Sequence, residues 1–127
     1  MKKAIVLISI LFLGITLKAQ EGLLERTIPA VDIKTLTGET FNTSNIDNEG
    51  KPMIISFFAL WCKPCMRELT AIADVYTDWQ DEVGVKLVAI SIDDSRSMAN
   101  VLPTVNGNGW EYEFYSDVNG DFKRAMG

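Results

Sequence analysis

Histidine is absent from the 127 residues, and cysteine occurs only twice. Without histidine the commonest general base and the commonest zinc ligand are missing. Ser-His and Cys-His nucleophile pairs are excluded with them. Two cysteines cannot close a four-thiolate zinc site within one chain. A cationic surplus is lacking too: 12 Lys and Arg stand against 17 Asp and Glu, a net charge of −5. Phosphate contacts need clustered Lys and Arg, so nucleic acid is not an expected partner. No internal repeat or low-complexity segment occurs, and the length supports one domain.

What is present begins with a basic start, Met1-Lys2-Lys3, and an apolar run from Ala4 to Leu17. That run is shorter than the about 20 residues a helix needs to cross the hydrocarbon core. Followed by Lys18-Ala19-Gln20, it reads as a secretory signal cut after Ala19. The alternatives are a buried core helix or an uncleaved membrane anchor. Leu17, at the −3 place, is larger than the small residue usually found there. The first 19 residues carry three of the cations and none of the acids. A mature domain of residues 20–127 then holds nine cations against 17 acids, a net charge of −8. No cysteine follows the run, so a lipid-modified N-terminus is not expected. The expected location is extracytoplasmic, the periplasm or its equivalent, where disulfides persist. No membrane partner is expected after cleavage.

Along residues 20–127, Gln20 to Pro29 is a polar lead-in. Val31–Thr35 and Glu39–Asn42 flank Leu36-Thr37-Gly38 as a hairpin. Residues 44–50 read as a turn or short helix, and the Asn42-Thr43-Ser44 sequon as a plain turn. Met53–Phe58 is a continuous apolar run of strand length, read as a strand buried on both faces. Cys65, Leu69, Ile72, Tyr76 and Trp79 recur at helical spacing and draw one apolar stripe that Gly84 ends. Val85–Ile92 is a second strand, so strand, helix and strand make a right-handed βαβ unit. Asp93-Asp94-Ser95 suits a helix cap. Pro103 interrupts the helix that follows, and residues 107–109 read as a loop. Trp110, Tyr112 and Phe114 alternate as in a half-buried strand, and residues 120–126 form a last helix with Phe122 and Met126 inward.

Trp61-Cys62-Lys63-Pro64-Cys65 lies between the buried strand and the amphipathic helix. Half of a zinc site looks the same, but no second pair exists to complete one. A crosslink stabilises mainly by closing a loop, and the effect shrinks with loop length. A bridge across two residues therefore does little as a staple, and redox chemistry is the stronger reading. Pro64 fits the first helical position, where its missing N–H costs nothing. Cys62 then falls at the N-cap, facing unpaired N–H groups and the positive end of the helix dipole. A thiolate is favoured there, and the thiolate is the attacking species. Lys63 adds positive charge that solvent largely screens. Cys65, one turn in, is expected to be more buried and to act as the resolving thiol. Trp61 shapes a docking surface, packs as a core aromatic, or does both. Glu68 shares a helix side with Cys65. It is either a proton carrier for Cys65 or a solvated residue near the dipole.

At these residues the chain resembles the thioredoxin superfamily, and within it the exported TlpA/ResA-type thiol-disulfide oxidoreductases. The resemblance runs from about Pro29 to Met126. It is carried by the leader, the Pro29–Asn42 hairpin, Lys51-Pro52 before the apolar run, Trp61-Cys62-Lys63-Pro64-Cys65, Glu68 and Ser91-Ile92-Asp93. It implies an α/β thioredoxin-like fold with an N-terminal β-hairpin and a βαβ core around the Cys pair. It also implies protein thiols and disulfides as substrates, an external electron donor or acceptor, no cofactor, and a thiol-tuning role for the acid at Glu68. Ser56, six residues before Cys62, occupies the place where cytoplasmic thioredoxins carry an Asp. The resembled fold continues past the last helix with a cis-proline loop, two strands and a terminal helix. None of Pro29, Pro52, Pro64 and Pro103 fits that loop. The expectation is a domain incomplete at its C-terminus, whose Met53–Phe58 strand offers an open edge.

The chief alternative is a non-catalytic thioredoxin-like module that pairs this edge with another chain or with itself. A peroxidase of the superfamily is weaker, because such enzymes usually carry a Thr three residues before the reactive Cys, where Ala59 stands. A copper(I) chaperone would use both thiols, but no Met or His ligands cluster beside them.

Overall fold

The computed structural model describes residues 27–127; the leader read at residues 1–19 and the boundary after it lie outside them. β1 (Asp32–Thr35) and β2 (Thr40–Asn42) form the expected hairpin, with Ile33 opposite Phe41. Gly38, at φ +94°, supplies the left-handed position in its turn. A single 3-10 turn at Thr43–Asn45 follows, capped by the Asn42 side chain. β3 (Met53–Phe58) and β4 (Lys86–Ser91) are parallel and joined through α1 (Lys63–Ala73) and α2 (Tyr76–Val83). α3 (Val101–Asn108) leads to β5 (Glu113–Ser116), parallel to β4 and antiparallel to β1. α4 (Asp121–Met126) closes the order. The sheet runs β2-β1-β5-β4-β3.

The period-two alternation of the strands divides the core into two layers. Phe58, Leu87 and Ala89 face one side, where Leu69, Tyr76, Val101, Val105, Trp110 and Tyr112 pack. Val88, Ile90 and Tyr115 face the other, against Ile33, Ile46 and Phe122. β4 is buried almost throughout, as its apolar sequence requires.

Several expectations change. The apolar run of β3 is not buried on both faces. Among the described residues β3 pairs only with β4, so it is an edge, and Met53 to Phe57 are half-buried. The long amphipathic helix is two helices. Asp74 ends α1, Val75 stands between the two helices at φ −119°, and its N–H donates to the Ile72 carbonyl three residues back. The break turns Trp79 outward, although Leu69 and Tyr76 stay in the core. Gly84 ends α2 in the left-handed conformation, as read. Pro103 does not interrupt α3. It lies in the first turn, where N–H groups have no intrahelical acceptor. Gly107 and Asn108 complete that helix rather than forming a loop, and Gly109 caps it at φ +65°. The last strand begins at Glu113, later than the aromatic alternation indicates, and Met126 is exposed while Phe122 is fully buried.

Candidate redox site

The site is built where β3 ends. Phe58 and Ala59 are fully buried, and the chain then turns sharply: the Cys62 N–H donates to the Ala59 carbonyl at 3.0 Å. Cys62 is the N-cap of α1, with φ −85° and ψ 90°. Its Sγ accepts the Cys65 N–H at 3.4 Å. A sulfur thus takes the role that a Ser or Asp oxygen usually takes at a helix start. Lys63, not Pro64, is the first helical residue; Pro64 is the second, still within the turn that tolerates it. The first turn of α1 contains no acid, so no side-chain anion competes for the positive end of the helix.

Cys62 and Cys65 are joined by a disulfide, with their Cα atoms 5.3 Å apart. Both residues are half-buried, so the expected contrast in burial between them is not visible in this state. Trp61 is 70% exposed, a surface aromatic beside the pair and not a core one. Lys63 and Glu68 are exposed. The first turns of α1 are held from below: Leu69 is fully buried, and its carbonyl accepts the Tyr112 hydroxyl at 2.6 Å. Ser56 is half-buried in β3, opposite Ala89.

One residue at the site was not legible as such. Asp93 is fully buried at the end of β4. Its carboxylate accepts the Leu60 N–H, at 3.1 Å to Oδ2, together with the Ser91 and Ser97 hydroxyls. The helix cap expected of Asp93-Asp94-Ser95 is not formed: the helices that follow start from Ser97 and Asn100 without a side-chain cap. Asp94 instead closes a turn, its Oδ1 accepting the Arg96 and Ser97 N–H groups. The Arg96 guanidinium hydrogen-bonded to Asp94 holds that carboxyl below its ordinary value. Two adjacent aspartates read alike in sequence, and only the strand register sends the first inward. Among the described residues no group of three or more His, Cys, Asp or Glu is placed to hold a metal ion.

A parallel βαβ unit with a Cys-x-x-Cys disulfide at the head of its helix, flanked by an antiparallel hairpin, defines a thioredoxin-like fold. Comparison with known proteins agrees. The sequence model of the AhpC/TSA family matches residues 24–127, and the chain belongs to that family. It is 40% identical over 77 residues to the thiol-disulfide oxidoreductase ResA of Oceanobacillus iheyensis, covering 61% of this chain and 38% of that one. It is 36% identical over 69 residues to the thioredoxin-like protein YneN of Bacillus subtilis, covering 54% and 38%. A thioredoxin-like protein of Porphyromonas gingivalis, solved in solution, superposes with a TM-score of 0.68 at 59% identity, covering 79% of this chain and 65% of that one. The chain therefore spans less than two thirds of each of these relatives.

Proposed function

We propose that the chain is an exported thiol-disulfide oxidoreductase acting on protein thiols and disulfides. One observation carries the reading: Cys62 caps α1 through its sulfur, in line with the Cys65 N–H. In the reduced protein the Cys62 thiolate, favoured by the helix N-terminus, attacks one sulfur of a substrate disulfide. A Cys62–substrate bond forms as the substrate S–S bond breaks, and the departing thiolate takes a proton. Cys65, losing its own proton, then attacks the Cys62 sulfur. The Cys62–Cys65 bond forms, the second substrate thiol leaves, and two electrons have passed to the substrate. Run backwards from the oxidised pair, the same steps oxidise a substrate dithiol, and an external donor or acceptor resets the pair. Trp61 and Lys63 offer an exposed docking surface beside the sulfurs, and Pro64 rigidifies the turn between them. Glu68, exposed one turn beyond Cys65, exchanges the Cys65 proton with solvent.

The ResA relative's name supports this chemistry, and the leader read at residues 1–19 supports export. The test is reduction of a soluble protein disulfide by the intact chain, by Cys62→Ser and by Cys65→Ser. Cys62→Ser is expected to abolish turnover. Cys65→Ser is expected to accumulate a mixed disulfide through Cys62. Equal rates in the parent and Cys62→Ser would remove Cys62 from the nucleophile role.

A second reading has its own observation, the unpaired outer edge of β3 with half-buried apolar residues along it. Such an edge is a template for another strand. It makes the chain a binding module that pairs with a second chain or with itself. Light scattering after size exclusion at several concentrations separates the two: a monomer with full reductase activity counts against the module.

A further inference from the structure

We infer that Asp93 is a positioning residue for Cys62: its buried carboxylate holds the turn between β3 and α1, and so keeps the sulfur at the head of the helix. The inference deepens the oxidoreductase reading and rests on it. In the turn, the Cys62 N–H is satisfied by Ala59. The Leu60 N–H has only Asp93, at 3.1 and 3.3 Å to its two oxygens. Leu60 is half-buried, and with no other acceptor for its N–H this contact fixes the peptide two residues ahead of the nucleophile.

The carboxylate gathers three regions of chain. Leu60 lies in the turn, Ser91 ends β4, and Ser97 belongs to the segment leading to α3. Ser91 Oγ in turn accepts the Asp93 N–H at 3.1 Å, which fixes the side chain from behind. All three groups bonded to the carboxylate act as donors to it. Only a carboxylate offers two acceptor oxygens to meet them together; an amide offers one. The backbone adds a second tie between the same segments, because the Ile92 N–H donates to the Phe58 carbonyl at 2.8 Å. The turn bearing Cys62 is thereby clamped to the chain just past the end of β4, the strand beside β3.

Other charges near the pair are arranged differently. Lys63, Arg67 and Glu68 lie on the helix of Cys62 and are exposed. Asp94 and Arg96 pair with each other at the surface. Position and charge therefore predict opposite signs when Asp93 is removed. Loss of a nearby anionic group favours a thiolate, whereas a loosened turn takes Cys62 out of the cap geometry and disfavours it.

The experiment uses the reduced full chain. It follows the pH dependence of Cys62 alkylation by iodoacetamide, resolved by peptide mass, and the thiol–disulfide equilibrium with glutathione. Asp93→Ala is expected to slow Cys62 alkylation about tenfold at pH values well below the parent thiol's midpoint, the effect of a one-unit rise in its pKa. Its equilibrium with glutathione is expected to shift in step. Asp93→Asn, which keeps one acceptor for the Leu60 N–H, is expected to slow alkylation less. Folded Asp93→Ala protein that reacts at the parental rate, or faster, overturns the assignment. If Asp93→Ala does not fold, Asp93→Asn decides: slowing supports the assignment, and a parental or faster rate overturns it. The parent profile reads the functional proposal separately. Parent Cys62 ionising like free cysteine defeats both proposals; a lowered parent value unmoved by Asp93→Ala defeats only this one.

Discussion

Ser116 shows how much one atom decides in this interior. Its hydroxyl is buried on β5 and, among the described residues, is the buried side-chain polar atom without a hydrogen-bond partner. An unsatisfied buried hydroxyl costs about 1–3 kcal/mol. Ser116→Ala removes that cost together with little volume. We predict a stability gain of about 1 kcal/mol, read as a higher urea midpoint with an unchanged slope. The contrast with Asp93 is instructive, because that carboxylate is equally buried but fully engaged. Neither fate is visible locally. Asp93 reads as part of a cap, Ser116 carries no local signal, and the tertiary structure alone decides which polar atom finds donors. The Cys pair was legible at this scale because its chemistry depends on spacing and on the strand-to-helix junction, both local. The exposure of Trp61 was not, since an aromatic next to a core strand fits either side of the surface.

At the scale of elements, the βαβ unit was readable because β3 and β4 are long apolar runs with a helical pattern between them. The hairpin was readable from alternation around Gly38. What escaped the pattern were boundaries set by backbone geometry. The stripe from Cys65 to Trp79 keeps its spacing across Asp74-Val75, yet the helix is broken there. Pro103 looks like a breaker in any window, but within the first turn of α3 it breaks no bond. Gly84 was read correctly because its role is local. It caps α2 at φ +67°, its carbonyl accepts the Asn48 amide at 2.9 Å, and an added Cβ would lie 2.7 Å from the Lys51 side chain. Gly84→Ala is predicted to cost about 1–2 kcal/mol, the penalty of a side chain in left-handed backbone. Thermal unfolding should show a lower midpoint. Cys62 alkylation should be unchanged, because Gly84 lies at the opposite end of β4 from the Cys pair.

For the whole molecule, the layer under α1 and α2 links the site to global stability. Tyr112 is buried there and donates to the Leu69 carbonyl. Burial first, then the nearby Tyr76 and Asp74, push its phenol from 10.0 up to about 12. Burial and the Glu113 carboxylate raise Tyr115 as well, in the other layer. A raised folded value means that the native state keeps a proton the unfolded chain has lost. The associated stability is whole below pH 10 and is lost as pH rises through about 12. Denaturant midpoints are therefore predicted to fall steeply above pH 10. Tyr112→Phe should flatten part of that fall while lowering neutral-pH stability by about 1 kcal/mol through the lost hydrogen bond.

Everything proposed for function returns to one sulfur at the head of one helix. The most direct measurement is the pH profile of Cys62 alkylation in the reduced parent protein, with Cys65 followed in the same digest. The account predicts that Cys62 ionises at least one unit below the about 8.5 of free cysteine, and below Cys65. A Cys62 that titrates at or above the free-cysteine value, or after Cys65, would contradict it.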